Sequence, residues 1–214
     1  MSVLKNKLVK KAASQIGTKE PTGDDKYITW YNKLTGADLP LNSPWCAIFV
    51  RWVAAQCKLS EYIPPFASCS RMVSYFQSKG QYETRRQHTN PEPGDIIFYD
   101  WDESAGNGAD HVGIVELVTG TMLTVIEGNC SNRVKRRFID NGKTSVMIAG
   151  YAVPDYPSGD VNRDGKADAH DALAILQTAV GKSNKATKKK ADVNGDGKLD
   201  AADALEVLKD GVGK

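Results

Sequence analysis

The sequence predicts an α+β domain followed by a small all-α module, and three observations carry that expectation. Apolar residues recur at helical spacing through the first 80 positions. Beyond Pro91 the period becomes that of strands, and beyond Gly159 the chain repeats itself at an offset of 32 residues. The expected division is 1–155 for the larger domain and 160–214 for the smaller. Pro154-Asp155-Tyr156-Pro157-Ser158-Gly159 is the expected linker.

Each element has a local cause. Leu4, Leu8, Val9, Ala12, Ala13 and Ile16 make one face of a first helix, with lysines between them and Gly17 as its stop. Tyr27, Trp30 and Tyr31 fall on a short second helix. Ser43 suits an N-cap and Pro44 the first position of an apolar helix running to Cys57-Lys58. Ser68 or Ser70 caps a fourth, which turns Met72, Val73 and Phe76 inward and ends at Gly80. Pro91-Glu92-Pro93-Gly94-Asp95 is a turn into the strand Ile96–Tyr99. A Gly-rich loop, Trp101–Asp110, leads to the strand His111–Val118, and Gly120 turns the chain into Met122–Glu127. Val134–Ile139 and Val146–Val153 form a last pair, joined by the hairpin turn Asn141-Gly142.

Composition narrows the function. The chain is 41% hydrophobic and 25% charged with a net charge of +2, an ordinary balance that supports a sizeable core. Residues 1–159 carry 18 basic and 16 acidic side chains and residues 160–214 carry 10 of each, so neither part has the basic excess of a nucleic-acid binder. No apolar run is long enough to span a membrane. Met1-Ser2-Val3-Leu4-Lys5 lacks the apolar core of a signal peptide. The four cysteines, Cys46, Cys57, Cys69 and Cys130, show no CxxC spacing, which disfavours zinc. If Cys46 is reactive, at most one pair among the other three can bridge.

Cys46 lies in the first turn of its helix, where unpaired backbone N–H groups and the helix dipole favour a thiolate. A thiolate nucleophile needs a base, and the base needs a group to hold its tautomer. Of three histidines, His88 sits in a polar loop and His170 in the repeat, which leaves His111, at the start of a strand. One hairpin away, Glu127-Gly128-Asn129 ends the next strand, and either polar side chain can reach the imidazole.

Trp45-Cys46-Ala47, Pro93-Gly94-Asp95-Ile96-Ile97-Phe98, His111-Val112-Gly113-Ile114-Val115 and Ile126-Glu127-Gly128-Asn129 stand in the order and spacing of CHAP domains. The resemblance spans residues 5–153 and includes Gln15-Ile16-Gly17-Thr18-Lys19-Glu20. CHAP domains are papain-like cysteine amidohydrolases and peptidases of cell-wall lysins, with helices packed on an antiparallel sheet. The resemblance implies Cys46 as nucleophile, His111 as general base then acid, Glu127 as its orienter and Asn129 as a second polar member. It implies a peptidoglycan substrate, cleaved at the muramoyl–L-alanine amide or at a stem or cross-bridge peptide bond. Some members carry an Asp-rich calcium loop before the cysteine; here Gly36–Asn42 holds a single acid, Asp38, so no metal is expected for catalysis. Trp45 and Trp101 are candidates for a substrate groove or for the core.

The repeat has the donor spacing of calcium loops, with carboxylates or amides at positions 1, 3, 5 and 12, a carbonyl at 7 and water often at 9. The first copy supplies Asp160, Asn162, Asp164, Lys166 through its carbonyl, Asp168 and Asp171. The second supplies Asp192, Asn194, Asp196, Lys198 through its carbonyl, Asp200 and Asp203. Gly165 and Gly197 take the sharp turn at position 6, and two Ca2+ are expected. Asp at position 12 and one helix per loop resemble a type I dockerin of a cellulosome, whose partner is a cohesin module of a scaffoldin. Loop positions 10 and 11 of dockerins, with positions farther along the helices, meet the cohesin; here they are Ala169, His170, Leu176, Gln177 and Ala201, Ala202, Leu208, Lys209. A dockerin implies secretion, so a leader is expected to have been removed from this chain, and a monomer is expected apart from the cohesin. The competing reading is a wall-binding or partner-binding module without turnover.

Overall fold

A computed structural model describes residues 2–21, 25–101, 108–141 and 147–212. Helix α1, Val3–Ala13, starts where the Ser2 hydroxyl accepts a hydrogen bond from Lys5 N, and it buries Leu4, Leu8 and Ala12. Helix α2, Lys26–Thr35, buries Tyr27, Ile28 and Tyr31 and stops at left-handed Gly36. Helix α3, Cys46–Gln56, is buried almost all round. It begins two residues later than Ser43-Pro44 indicate. Ser43 N donates to Pro40 O in a preceding turn, and Trp45 is pulled into the core against Tyr27 before helical geometry sets in. Helix α4, Cys69–Ser78, is capped by Ser68, while the Ser70 hydroxyl donates to Ala109 O.

Six strands follow: β1 Tyr82–Thr84, β2 Ile96–Tyr99, β3 His111–Thr119, β4 Met122–Glu127, β5 Lys135–Asp140 and β6 Ile148–Ala152. They form one antiparallel sheet in the order β1-β6-β2-β3-β4-β5. The meander from β2 to β5 is as expected from sequence; the β5–β6 hairpin is not. Strands β5 and β6 run in the same direction and lie apart in the sheet. Lys135-Arg136-Arg137-Phe138-Ile139-Asp140 is charged and half exposed, which suits an edge that must repel other strands. Ile148-Ala149-Gly150-Tyr151-Ala152 is mostly buried and takes the interior place between β1 and β2. Gly142, Val146 and residues 102–107 of the Gly-rich loop lie outside the described residues.

One sheet face, through Ile96, Phe98, Val112, Ile114 and Ile126, packs on helices α1 to α4. The other carries its own cluster of Ile97, Tyr99, Val115, Leu123, Val125, Ile139 and Tyr151. The segment after α1 is sewn to the far end of the sheet. Gly17 N donates to Val134 O, Lys19 bridges to Arg133, and Val134 N donates to Thr18 O.

The repeat forms α5, Ala169–Ala179, a short α6, Lys188–Ala191, and α7, Ala201–Val212. Val161, Ala172, Ile175, Ala191, Val193, Ala204 and Val207 make a second core, which Val3 of α1 joins. Tyr156, in the expected linker, is buried edge-on against Tyr62. Lys7 Nζ meets Glu206 at 3.5 Å. Among the described residues no helix is long and apolar enough to cross a membrane.

Candidate active site and calcium loops

Cys46 is the first residue of α3, so its N–H is among those without an intrahelical partner, and the Ala47 N–H points at its sulfur. Cys46 is 4% exposed, and the neighbouring His111 favours its thiolate. Nε2 of His111 stands 3.1 Å from Glu127 Oε2. Glu127 is positioned by an absence. Glu127 pairs across the ladder with Gly113, not with His111, and a Cβ on Gly113 would lie 2.9 Å from Glu127 Cγ. Without that Cβ, the carboxylate leans along β3 to the ring two residues away. Its second oxygen accepts from Arg137 Nε at 2.7 Å. Tyr99, opposite His111 in the ladder, stacks beside the ring at 5.8 Å, and Trp101 stacks on Tyr99 at 4.9 Å. Arg137 lies 5.2 Å from the Trp101 ring.

A second sulfur completes the arrangement: Cys69, the first residue of α4, holds its Sγ 3.5 Å from that of Cys46. The Cys46 pKa is lowered well below that of a free thiol. The hydrogen bond with Cys69 is the largest cause; burial opposes it, and the bond and charge of His111 add to it. Cys69 is correspondingly pushed up, by that same hydrogen bond and by burial, so it is the donor of the pair. For His111, burial alone would lower the pKa, but bonds and charges from Cys46 and Glu127 override it and raise the value to about 9. Burial also opposes ionisation of Glu127, and the bonds from His111 and Arg137 overcome it, so its pKa is lowered. The resting state these shifts favour is a thiolate–imidazolium pair.

The structure therefore brings Cys46, His111 and Glu127 together. Asn129, at φ 56, lines a cavity of about 420 Å³ with Trp101, His111 and Arg137. Glu127 rather than Asn129 is the acceptor on the imidazole. Trp45 is 1% exposed and belongs to the core, whereas Trp101 is 43% exposed at the cavity. His88 is engaged elsewhere, between Glu83 and Asp95. Sequence reasoning missed Arg137 and the pairing of Cys69. The available sign for Cys69 was its place directly after a serine cap, which gives it the same helix-start position as Cys46.

Arg137→Met leaves Glu127 with a single partner in a buried site. A lost charge-assisted hydrogen bond of about 1.5 kcal/mol predicts a fall of roughly tenfold in kcat/KM. Arg137→Lys is expected to recover part of it; an Arg137→Met protein at full activity would contradict this role for the guanidinium.

In the repeat, each acid turns onto loop backbone. Asp160 accepts from Arg163 N and Gly165 N, and Asp192 from Asp196 N and Gly197 N. Asp171 accepts from Val161 N, Asn162 N and Asp168 N; Asp203 accepts from Asn194 N and Asp200 N. Both position-12 acids are fully buried. Among the described residues no three His, Cys, Asp or Glu side chains converge as a metal-holding group. The donor set fits Ca2+ on its chemistry, since each copy offers hard oxygens only, with four carboxylates among them. Asp168 and Asp200 cap the helices that follow, accepting from His170 N and Ala202 N. Ala169, His170, Leu176, Gln177, Ala201, Ala202, Leu208 and Lys209 are all exposed, as are Leu173 and Leu205, which share the helix faces.

A CHAP domain family matches residues 39–129, and a Dockerin type I domain family matches residues 158–210. No match is found among curated proteins. Among solved structures, the crystal structure of Ly7917 is similar at 17% identity and a TM-score of 0.46, covering 70% of this chain and 62% of that one. The crystal structure of Ly7917 with the hydrolyzing product of MDP is similar at 17% identity and a TM-score of 0.47, covering 71% and 63%. The chain thus spans less than two thirds of the length of these two structures.

Proposed function

We propose that this chain, a CHAP domain joined to a type I dockerin domain, is a secreted peptidoglycan hydrolase carried on a cohesin scaffold. The observation that carries the reading is the grouping of Cys46, at a helix N-terminus, with His111, whose Nε2 stands 3.1 Å from Glu127 Oε2. In the reaction the Cys46 thiolate attacks the carbonyl of a wall amide. The Cys46 N–H donates to the developing oxyanion. The His111 imidazolium passes its proton to the departing amine, leaving a thioester on Cys46. His111, now neutral, takes a proton from water, and the hydroxide releases the acid. Glu127 keeps the ring turned toward sulfur through both steps.

Mass spectrometry of the muropeptides released from purified walls tests this and names the bond. New L-alanine amino termini would identify an amidase acting at muramic acid; new termini within stem or bridge peptides would identify an endopeptidase. No release by wild type at any wall chemotype would favour a binding module without turnover.

The dockerin reading assigns two Ca2+, held by Asp160, Asn162, Asp164, the Lys166 carbonyl, Asp168 and Asp171, and by Asp192, Asn194, Asp196, the Lys198 carbonyl, Asp200 and Asp203. When bound, the ion neutralises clustered acids and fixes the loops that launch α5 and α7. Titration calorimetry is expected to show two ions per chain. Chelation is expected to abolish cohesin binding and to remove about 2.7 kcal/mol of stability per site at a hundredfold excess of ion over Kd. Absence of calcium uptake, or cohesin binding unchanged in chelator, would overturn the assignment.

A further inference from the structure

We infer that Cys46 and Cys69 are a disulfide-forming pair, so that the sulfur carrying the reaction is also the site of a reversible covalent modification. The two sulfurs are 3.5 Å apart and belong to the first residues of α3 and α4. A disulfide needs about 2.05 Å, so closure asks for a shift of side-chain scale and no rearrangement of strands. The other two cysteines are committed elsewhere. Cys57 donates to Lys7 O, its thiol pushed up to about 11 by burial, and Cys130 accepts from Arg137. All four are free thiols in this state.

The chemistry is asymmetric in a way that suits exchange. Cys46 is the ionised member and reacts first with a low-molecular-weight disulfide, RSSR. Its sulfur bonds to one RS group and the other leaves as RS−, the electron pair of the broken S–S bond going with it. Cys69 is held protonated chiefly by its bond to the Cys46 thiolate, and that hold ends when Cys46 becomes a neutral mixed disulfide. The Cys69 sulfur then attacks the Cys46 sulfur, its proton goes to the second departing RS group, and RSH is released. Two thiol sulfurs are oxidised and one RSSR is reduced to two thiols. The Cys46–Cys69 bond leaves no thiolate to attack an amide. That consequence rests on the proposed role of Cys46; the bond itself does not.

The test uses the full-length, reduced, calcium-loaded protein, equilibrated with rising ratios of glutathione disulfide to glutathione, then alkylated and mapped by mass spectrometry. The expected product has lost two hydrogens, with the Cys46 and Cys69 peptides linked and Cys57 and Cys130 alkylated. Cys69→Ser under the same treatment is expected to retain one glutathione on Cys46. Wild-type protein that retains glutathione on Cys46 while Cys69 stays alkylatable would overturn the proposal. Hydrolysis, measured on the same samples, is expected to fall to background and return with dithiothreitol. A linked Cys46–Cys69 pair with hydrolysis intact would leave the bond standing and remove Cys46 as the nucleophile.

Discussion

Cys46→Ala is expected to lose wall hydrolysis by at least ~10³-fold while melting cooperatively as the wild type does. The substitution removes only a sulfur at the start of α3, and Ala is well tolerated there. The pH dependence adds a second readout. The reactive ion pair needs Cys46 ionised and His111 protonated. Activity is therefore expected to rise through an acid limb set by the lowered thiol pKa and to fall through a basic limb at about 9. The linked stability has a definite sign. His111 titrates higher folded than unfolded, so its contribution is complete below the unfolded value of about 6.5 and is lost as pH rises toward 9. In Cys46→Ala a main cause of that elevation is gone, so the contribution is smaller and its loss is complete at a lower pH. Full activity in Cys46→Ala would end the assignment. So would a wild-type profile with no basic limb.

Gly128→Ala is expected to damage fold and activity together. A Cβ at Gly128 would sit 2.4 Å from Phe49 Cβ, 2.7 Å from Phe49 Cγ and 2.9 Å from Trp45 Cζ3. Those atoms belong to α3 and its cap, which are buried on almost every side and have no room to retreat. Overpacking at such a contact costs about 1–3 kcal/mol, visible as a lowered denaturant midpoint. The chain before Gly128 is Glu127. Displacing it by a fraction of an ångström from His111 predicts a loss of roughly 10²-fold in hydrolysis, in the surviving folded protein, through misplaced geometry. Gly120→Ala is the control: nothing lies within 4 Å of its Cβ, and only its positive φ is strained. It should cost some stability and no activity. Equal stability and activity in Gly128→Ala and wild type would show that α3 and β4 are not held in the contact described.

Much of the site could be read from the chain because its members sit at element boundaries. Cys46 follows a turn into an apolar helix, His111 opens a strand, and Glu127 closes one; such places have local causes. Arg137 and Cys69 do not declare themselves that way. Arg137 lies in the middle of a charged edge strand, where a solvated side chain is the ordinary outcome, and its use depends on β5 lying beside β4. Cys69 becomes significant only when α4 delivers it against α3. The β5–β6 hairpin was misleading for a related reason: Asn141-Gly142 describes a bend, whereas the strand's neighbours are chosen by which segment can be buried on both faces. In the repeat, by contrast, every donor proposed for calcium lies within one loop of 12 residues, so the proposal needs no tertiary contact.

The stitching of residues 17–19 onto Arg133 and Val134 has a bearing on how the molecule is made. Residues 17–19 are made before their partners, which stand more than a hundred positions behind them, and must wait for them. Helix α1 can coil early, but its exit has nowhere to attach until Arg133 and Val134, just before β5, have been made. Chains halted before Val134 should hold residues 14–20 unanchored and open to proteases, and longer ones should become resistant there abruptly.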